Sequence, residues 1–338
     1  MKIAFTICSN NYLSQAKVLC NSLTEHNPDY RFIIGLCDKK TDIVDYQCFA
    51  PAEIIEVERI GIANFDWMTQ HYDIVELNTA IKPYYFEYFM LHYPQFETIM
   101  YFDPDIVVYD SLRAVEDELR GKSAVLTPHI TTNIALDGLY PSLNVFLAHG
   151  LYNLGFLAIS NSNEAKRIIR WWAEYLANHC IKRLSNGYFV DQLPMNFAPL
   201  FFDDVCVSKN LGFNYAYWNF HERELTVKND KYYINDSFPL IFTHFSAFTP
   251  RLPLEICRFK TLRYTMEEGT VLYNFFMNYS NKLVEADFWK LKPIPCYYVG
   301  LHTKFILEKQ RAERRDLKKR FKTIAHRIKH LFDLESKG

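Results

Sequence analysis

The chain is predicted to be an α/β protein with a mixed, parallel-rich sheet flanked by helices on both faces. Three observations lead there. β-prone apolar segments alternate with helical ones through the N-terminal third, the first strand–helix–strand unit ends both of its strands in polar residues, and the run Ile99-Met100-Tyr101-Phe102 delivers two carboxylates, Asp103 and Asp105. Strands separated by helices pair in parallel and need helices over both faces. Ligands of such sheets sit at the carboxyl ends of the strands.

Residues 2–8 read as the first strand, ending at Ser9-Asn10-Asn11; residues 12–25 read as a helix, and Tyr30–Leu36 as a second strand ending at Cys37-Asp38. Glu53–Val57 fits a third strand, and a helix over Ala80–Tyr93 leads into the strand that ends at Asp103. A later amphipathic helix near 163–180 carries Trp171-Trp172, which its apolar periodicity assigns to the core. Neither G-x-G-x-x-G nor G-x-x-x-x-G-K-[ST] occurs, so a dinucleotide site or a P-loop has no support. Ser9, Asn10 and Asp38, at the ends of parallel strands, stand where base and ribose contacts are expected, and equally where turn formers and helix caps occur.

With 338 residues the chain can bury a sizeable core, and no apolar run approaches the roughly 20 residues that span a bilayer. Eight cysteines are scattered without a C-x-x-C pair, and Met1-Lys2 runs into Ile-Ala-Phe-Thr-Ile without signal-peptide character. Both features predict buried free thiols in a reducing cytoplasm. The net charge of −1 conceals an asymmetry: residues 301–338 hold 12 Lys/Arg against 5 Asp/Glu, an excess of +7, and the rest of the chain is at −8. That distribution argues for an anionic surface met by the tail and against a nucleic-acid groove across the body.

Asp103 and Asp105, as residues i and i+2 of an extended segment, are expected to face one hard cation together. Beyond them come Asn153-Leu154-Gly155, then Asp191-Gln192, then Phe242-Thr243-His244-Phe245. In this order and spacing the segments resemble GT-A fold glycosyltransferases, most closely glycosyltransferase family 8 and related bacterial enzymes that build lipopolysaccharide or capsule polysaccharide. The resemblance covers roughly the first 250 residues. It implies a Rossmann-like, nucleotide-sugar-binding GT-A mixed sheet with a C-terminal helical extension, and a hexosyltransferase activity expected to retain anomeric configuration. Asp103 and Asp105 would then be the D-x-D that binds Mn²⁺ (or Mg²⁺) and the donor diphosphate, with His244 completing the metal site. Asn153 and Gly155 would shape the donor-sugar pocket, and Asp191-Gln192 would lie beside the anomeric carbon. Family 8 places its metal histidine in H-x-x-G-x-x-K-P-W, whereas this chain reads His244-Phe-Ser-Ala-Phe-Thr-Pro250-Arg251, which leaves Arg251 or Lys82 to meet the phosphates.

These residue types suit the chemistry. A leaving diphosphate gains negative charge, which two carboxylates and an imidazole holding a divalent cation can offset. Asp191 is expected to position the sugar and Gln192 to stabilise its anomeric face; without the resemblance, Asp191 reads equally as a helix cap. His244 taken alone reads as a core histidine, and Lys82 as a solvated first-turn residue. Tyr188, Tyr217 and Trp218 offer flat faces on which an acceptor sugar can stack, with Asn219 and Arg223 at its border, although aromatic stretches more often fill cores.

The expected organisation is a catalytic unit over 1–250, a helical extension over 251–300 and a basic tail over 301–338. In the tail, Leu317, Phe321, Ile324, Ile328 and Leu331 recur at steps of four and three among lysines and arginines. That pattern suits an amphipathic helix lying on an anionic membrane, here the inner face of the cell membrane, or one docked on protein. The expected partners are a UDP- or GDP-linked donor, a glycan or lipid-linked acceptor, and that membrane surface. Two alternatives stay open. Asp103 and Asp105 also suit a haloacid dehalogenase-type phosphohydrolase, with Asp203-Asp204 as its later metal pair, and the fold could serve a non-catalytic glycan-binding protein.

Overall fold

A computed structural model describes residues 1–259 and 263–335, the last eleven of these by backbone alone. The N-terminal half supplies strands β1 (Lys2–Cys8), β2 (Tyr30–Leu36), β3 (Glu53–Glu56), β4 (Thr98–Phe102), β5 (Ile106–Val108), β6 (Ala124–Pro128) and β7 (Tyr152–Ser160). Interleaved with them are helices α1 (Leu13–His26), α2 (Phe65–His71), α3 (Ile74–Ala80), α4 (Lys82–His92), α5 (Arg113–Leu119) and α6 (Leu143–His149). The helix expected over 80–93 is α4, starting two residues later, and α3 precedes it as a separate helix. Asp73 starts α3 with a capping box closed by Glu76, and Lys82-Pro83 start α4 afresh.

The C-terminal half adds α7 (Asn163–His179), the two-residue strands β8 (Lys182–Arg183) and β9 (Tyr188–Phe189), α8 (Ala198–Phe201) and β10 (Val205–Val207). It continues with β11 (Leu225–Lys228), β12 (Lys231–Ile234), β13 (Phe238–Pro239), β14 (Phe242–His244), α9 (Val271–Glu285), α10 (Phe288–Leu291) and α11 (Tyr297–Glu335). The central sheet has seven strands in the order β10-β6-β7-β4-β1-β2-β3. All run parallel except β7, which is antiparallel to both neighbours.

Strand periodicity divides the core. On β1, Ile3, Phe5 and Ile7 join one apolar layer, with Phe86, Phe89, Tyr101 and Trp172. Ala4 and Cys8 join the other, with Leu19, Leu23, Phe102 and Phe156. A third core gathers Tyr215, Phe245, Phe248, Phe275 and Tyr279 and seats α9 against the body. The segment after His244 carries prolines at 250 and 253, and among the described residues the next helix begins at Val271. All eight cysteines are free and six are buried. Among the described residues no helix is long and apolar enough to cross a membrane.

Candidate active site

The site is built where β4 ends. Asp103-Pro104-Asp105 is not extended, contrary to the same-face expectation: it forms a turn, closed by the Ile106 N–H donating to the Asp103 carbonyl at 3.0 Å, and β5 follows at once. The turn, and not a strand face, brings the carboxylates together. β5 pairs antiparallel with β14 in a register that sets His244 opposite Ile106, and the Phe245 N–H donates to the Asp105 carbonyl at 2.9 Å. His244 Nε2 thereby lies 3.0 Å from Asp105 Oδ1 and 3.8 Å from Asp103 Oδ2. One donor atom from each of the three residues falls within 4.8 Å of the others.

The far side of the imidazole decides what this cluster can hold. Asn153 Oδ1 accepts from the Gly155 N–H and from Asn214 Nδ2, so it meets His244 Nδ1, at 3.1 Å, as an acceptor. This assigns the ring's proton to Nδ1 and aims the Nε2 lone pair at two carboxylates. That face needs a second proton or a cation. Burial lowers the His244 pKa, but Asp105 and Asp103 outweigh it and the net shift is upward. An imidazole nitrogen and two carboxylate oxygens suit Mn²⁺ or Mg²⁺. Gly155 is required here, since a Cβ on it would stand 2.6 Å from His244 Cε1.

Lys82 is not the solvated residue its position suggested. Its side chain is 3% exposed, 2.8 Å from Asp191 Oδ2 and 3.2 Å from Asp103 Oδ1, and it donates to the Leu154 carbonyl at 2.9 Å. Burial disfavours its charge, but the two carboxylates overcome that and raise its pKa. Burial also opposes ionisation of Asp103, yet Lys82, His244 and the Tyr101 hydroxyl hold that carboxyl below its ordinary range. For Asp191, burial and the Asp103 charge prevail over Lys82, and the shift is upward.

Asp191 is no helix cap. It follows Val190, whose φ of 36° is rare for a β-branched residue, and its carbonyl accepts the Trp172 indole N–H at 2.9 Å. Gln192 is buried and donates through Nε2 to the His149 carbonyl at 2.8 Å.

An open cleft of about 230 Å³ reaches this cluster; Ser9, Asn11, Tyr12, Asn78, Thr79 and Lys82 line it with Asp103 and Asp105. Asn10 and Asp38 lie behind that wall. Asn10 holds the Lys39 carbonyl and the Tyr46 hydroxyl, and Asp38 accepts from the N–H groups of Asn10, Lys39 and Tyr297. Tyr217, Trp218 and Asn219 are buried. Trp218 meets His244 edge-on at 5.2 Å, and Asn219 bonds backbone groups of His129, Asn214 and Ala216. Arg223 is 3% exposed and bonded to the Leu211 and Phe213 carbonyls. These four therefore support the site from within, and of the expected acceptor residues only Tyr188 reaches the surface, half-buried on β9 beside His179. Sequence reasoning missed Tyr101, Asn214, Asn11, Tyr12 and Asn78. The one available signal was that Asn11 and Tyr12 continue the polar end of β1.

Asp203 and Asp204 precede β10, which is parallel to β6 and to β4, so they stand at the opposite end of the sheet from Asp103, where Asp204 pairs with Lys122 at 3.2 Å. The phosphohydrolase alternative loses its second metal pair and is set aside.

This sheet, with its carboxylate turn and facing histidine, is the GT-A glycosyltransferase fold. A superposable solved structure is the galactosyltransferase LgtC, crystallised in complex with donor and acceptor sugar analogs; it has a TM-score of 0.50 and 17% identity, over 89% of this chain and all of that one. In sequence the chain is 23% identical over 254 residues to the uncharacterized protein YfnF of Bacillus subtilis (strain 168), covering 72% of this chain and 80% of YfnF. It is 22% identical over 247 residues to the uncharacterized protein YfnD of the same organism, covering 72% and 77%. No family model matches the chain.

Proposed function

We propose that this protein is a metal-dependent, family 8-like glycosyltransferase. In this reading it transfers a hexose, with retention of configuration, from a UDP- or GDP-linked donor to a glycan or lipid-linked glycan in lipopolysaccharide or capsule-type polysaccharide synthesis. The observation that carries the proposal is the convergence of Asp103, Asp105 and the Nε2 of His244, whose far nitrogen is bonded to Asn153, beside an open cleft of the GT-A fold. LgtC, of the same fold, was solved with donor and acceptor sugar analogs, which supports a nucleotide-sugar and glycan pairing.

Asp103, Asp105 and His244 would hold the divalent cation, which supplies positive charge to the departing diphosphate. Ser9, just past the end of β1, and Asn153 and Gly155, from β7, would frame the donor, with Asn10 and Asp38 bracing the nucleotide wall. Lys82 keeps Asp103 ionised and Asp191 in place. An inverting reaction needs a carboxylate base open to the acceptor. Asp191 is 3% exposed and ion-paired, which supports retention, with Asp191 positioning the sugar and Gln192 facing its anomeric carbon. Tyr188 would border the acceptor. The catalytic unit in this reading is residues 1–250, with 251–300 packed on it. Heating the protein with Mn²⁺ and either UDP or GDP should raise the melting temperature, and EDTA should cancel the rise; binding at a hundred times Kd adds about 2.7 kcal/mol. No shift with either nucleotide, or a shift indifferent to EDTA, would remove the basis of the proposal.

The tail is proposed to bind the anionic inner face of the membrane, which places the enzyme in the cytoplasm as a peripheral protein; eight free thiols support that compartment. The start of α11 packs on α2 through Tyr298 against Phe65 and Phe305 against His71. Farther along, Leu317, Phe321 and Ile324 are 52%, 69% and 52% exposed, which supports a stripe left free for a membrane surface. The side chains of Ile328 and Leu331 lie outside the described residues. Deleting residues 312–338 should abolish cosedimentation with phosphatidylserine vesicles at low salt and leave the melting temperature unchanged. A markedly lower melting temperature would show instead that the stripe packs on protein.

A further inference from the structure

A divalent ion and a diphosphate at the Asp103–Asp105–His244 cluster leave a surplus of negative charge, and the cationic side chain lining the cleft, Lys82, is already matched by Asp103 and Asp191. Arg251 does not supply the missing charge: it is exposed, with its guanidinium 5.7 Å from the Trp289 ring. Another cation adjoins the cleft through Tyr12. Lys292, at the carboxyl end of α10, rests its ammonium 3.9 Å from the centre of the Tyr12 ring, and Tyr12 lines the cleft beside Asp103 and Asp105. Among the described residues no carboxylate lies within ion-pairing distance of it. An ammonium half-withdrawn from water with only rings for partners is an anion site in waiting. Burial lowers its pKa, Asp105 raises it and Arg258 lowers it further, so these three charges share one neighbourhood.

We propose that Lys292, carried by the C-terminal extension and steadied on the Tyr12 ring, is a diphosphate-binding residue of the donor cleft. The inference rests on the donor-site reading above and extends the site beyond residue 250. It makes the extension part of the binding machinery, since without α10 the cleft would lack this cation.

The test is calorimetric titration of the full chain with UDP, GDP, CDP and ADP, each with Mn²⁺, for wild type, Lys292→Gln and Lys292→Arg. Lys292→Gln should bind the preferred nucleotide about tenfold more weakly, as expected for loss of one charge-assisted contact, with an unchanged melting temperature. Lys292→Arg should stay within about threefold of wild type. Wild-type affinity should fall more steeply with added NaCl than that of Lys292→Gln, a difference that a purely structural lysine would not produce. Equal affinity in wild type and Lys292→Gln would overturn this inference alone, as would equal losses in both variants accompanied by lower melting temperatures. A wild-type protein that binds none of the four nucleotides would overturn the donor-site reading and this inference with it.

Discussion

Replacing Asp105 with Asn should eliminate metal-dependent nucleotide binding and lower any sugar-transfer rate by about a thousandfold or more, while the protein melts at its usual temperature or slightly above. The magnitude reflects the chemistry, because stabilising a leaving diphosphate is a transition-state interaction of several kcal/mol, each 1.36 kcal/mol being a factor of ten in rate. The stability forecast follows from position. Asp105 lies in a turn with its side chain 21% exposed, and its structural bond, from the Phe245 N–H, uses the backbone carbonyl and survives the substitution. Removing one carboxylate relieves repulsion with Asp103 and weakens the 3.0 Å contact with His244, two effects that offset each other. Melting curves with and without Mn²⁺ and nucleotide check both halves; a variant that retains metal-dependent binding would show that the cluster is not the metal site.

Lys82→Met should be the most destabilising single change in the site, by about 3–5 kcal/mol, because it strands two carboxylates and a carbonyl around a buried apolar side chain. Asp191 is the more severe case, being 3% exposed with Lys82 as its ion-pair partner. The loss has a direction with pH. Without the ammonium, the folded-state pKa of Asp191, already raised, climbs further and that of Asp103 loses the partner that holds it down, so the variant's stability falls as pH rises from the unfolded to the folded pKa values. The deficit is therefore smaller at pH 5 than at pH 8. Lys82→Met combined with Asp191→Leu should recover a large part of it. Urea midpoints at the two pH values settle the matter: a Lys82→Met midpoint equal to wild type at pH 8 would contradict the ion-pair assignment.

The parts of this molecule that sequence makes legible are those set by local periodicity. β2 spans Tyr30–Leu36 as its apolar, β-prone run indicates, β1 ends where the polar Ser9-Asn10 begin, and Trp172 is fully buried on the apolar stripe of α7. The convergence of Asp103 and Asp105 was legible too, although its physical reason was not: Pro104 favours a turn, and the turn does what an extended segment was expected to do. What remained hidden depends on pairing across long separations. Nothing local indicates that β14 lies against β5, far away in sequence, with His244 opposite Ile106, or that Asn214, at a left-handed φ of 55°, bonds the Asn153 oxygen that orients His244.

The same limit explains Lys82 and Trp218. A lysine before a proline and an aromatic in a Tyr-rich stretch have no local feature that reports burial, which is decided by elements arriving from elsewhere. The separate helix α3, absent from the expected elements, was readable in principle, because Asp73 and Glu76 spell a capping box three residues apart.

Sugar transfer from a nucleotide donor is tested most directly by incubating the wild-type protein with a panel of UDP- and GDP-sugars plus Mn²⁺, without acceptor, and measuring released free sugar by NMR. One donor should be hydrolysed slowly, with its anomeric configuration retained in the first-formed product and the reaction abolished by EDTA and by Asp105→Asn. Absence of hydrolysis of every donor by protein that binds the metal, or hydrolysis at the same rate after chelation and in Asp105→Asn, would contradict the assignment of this cleft to metal-dependent glycosyl transfer.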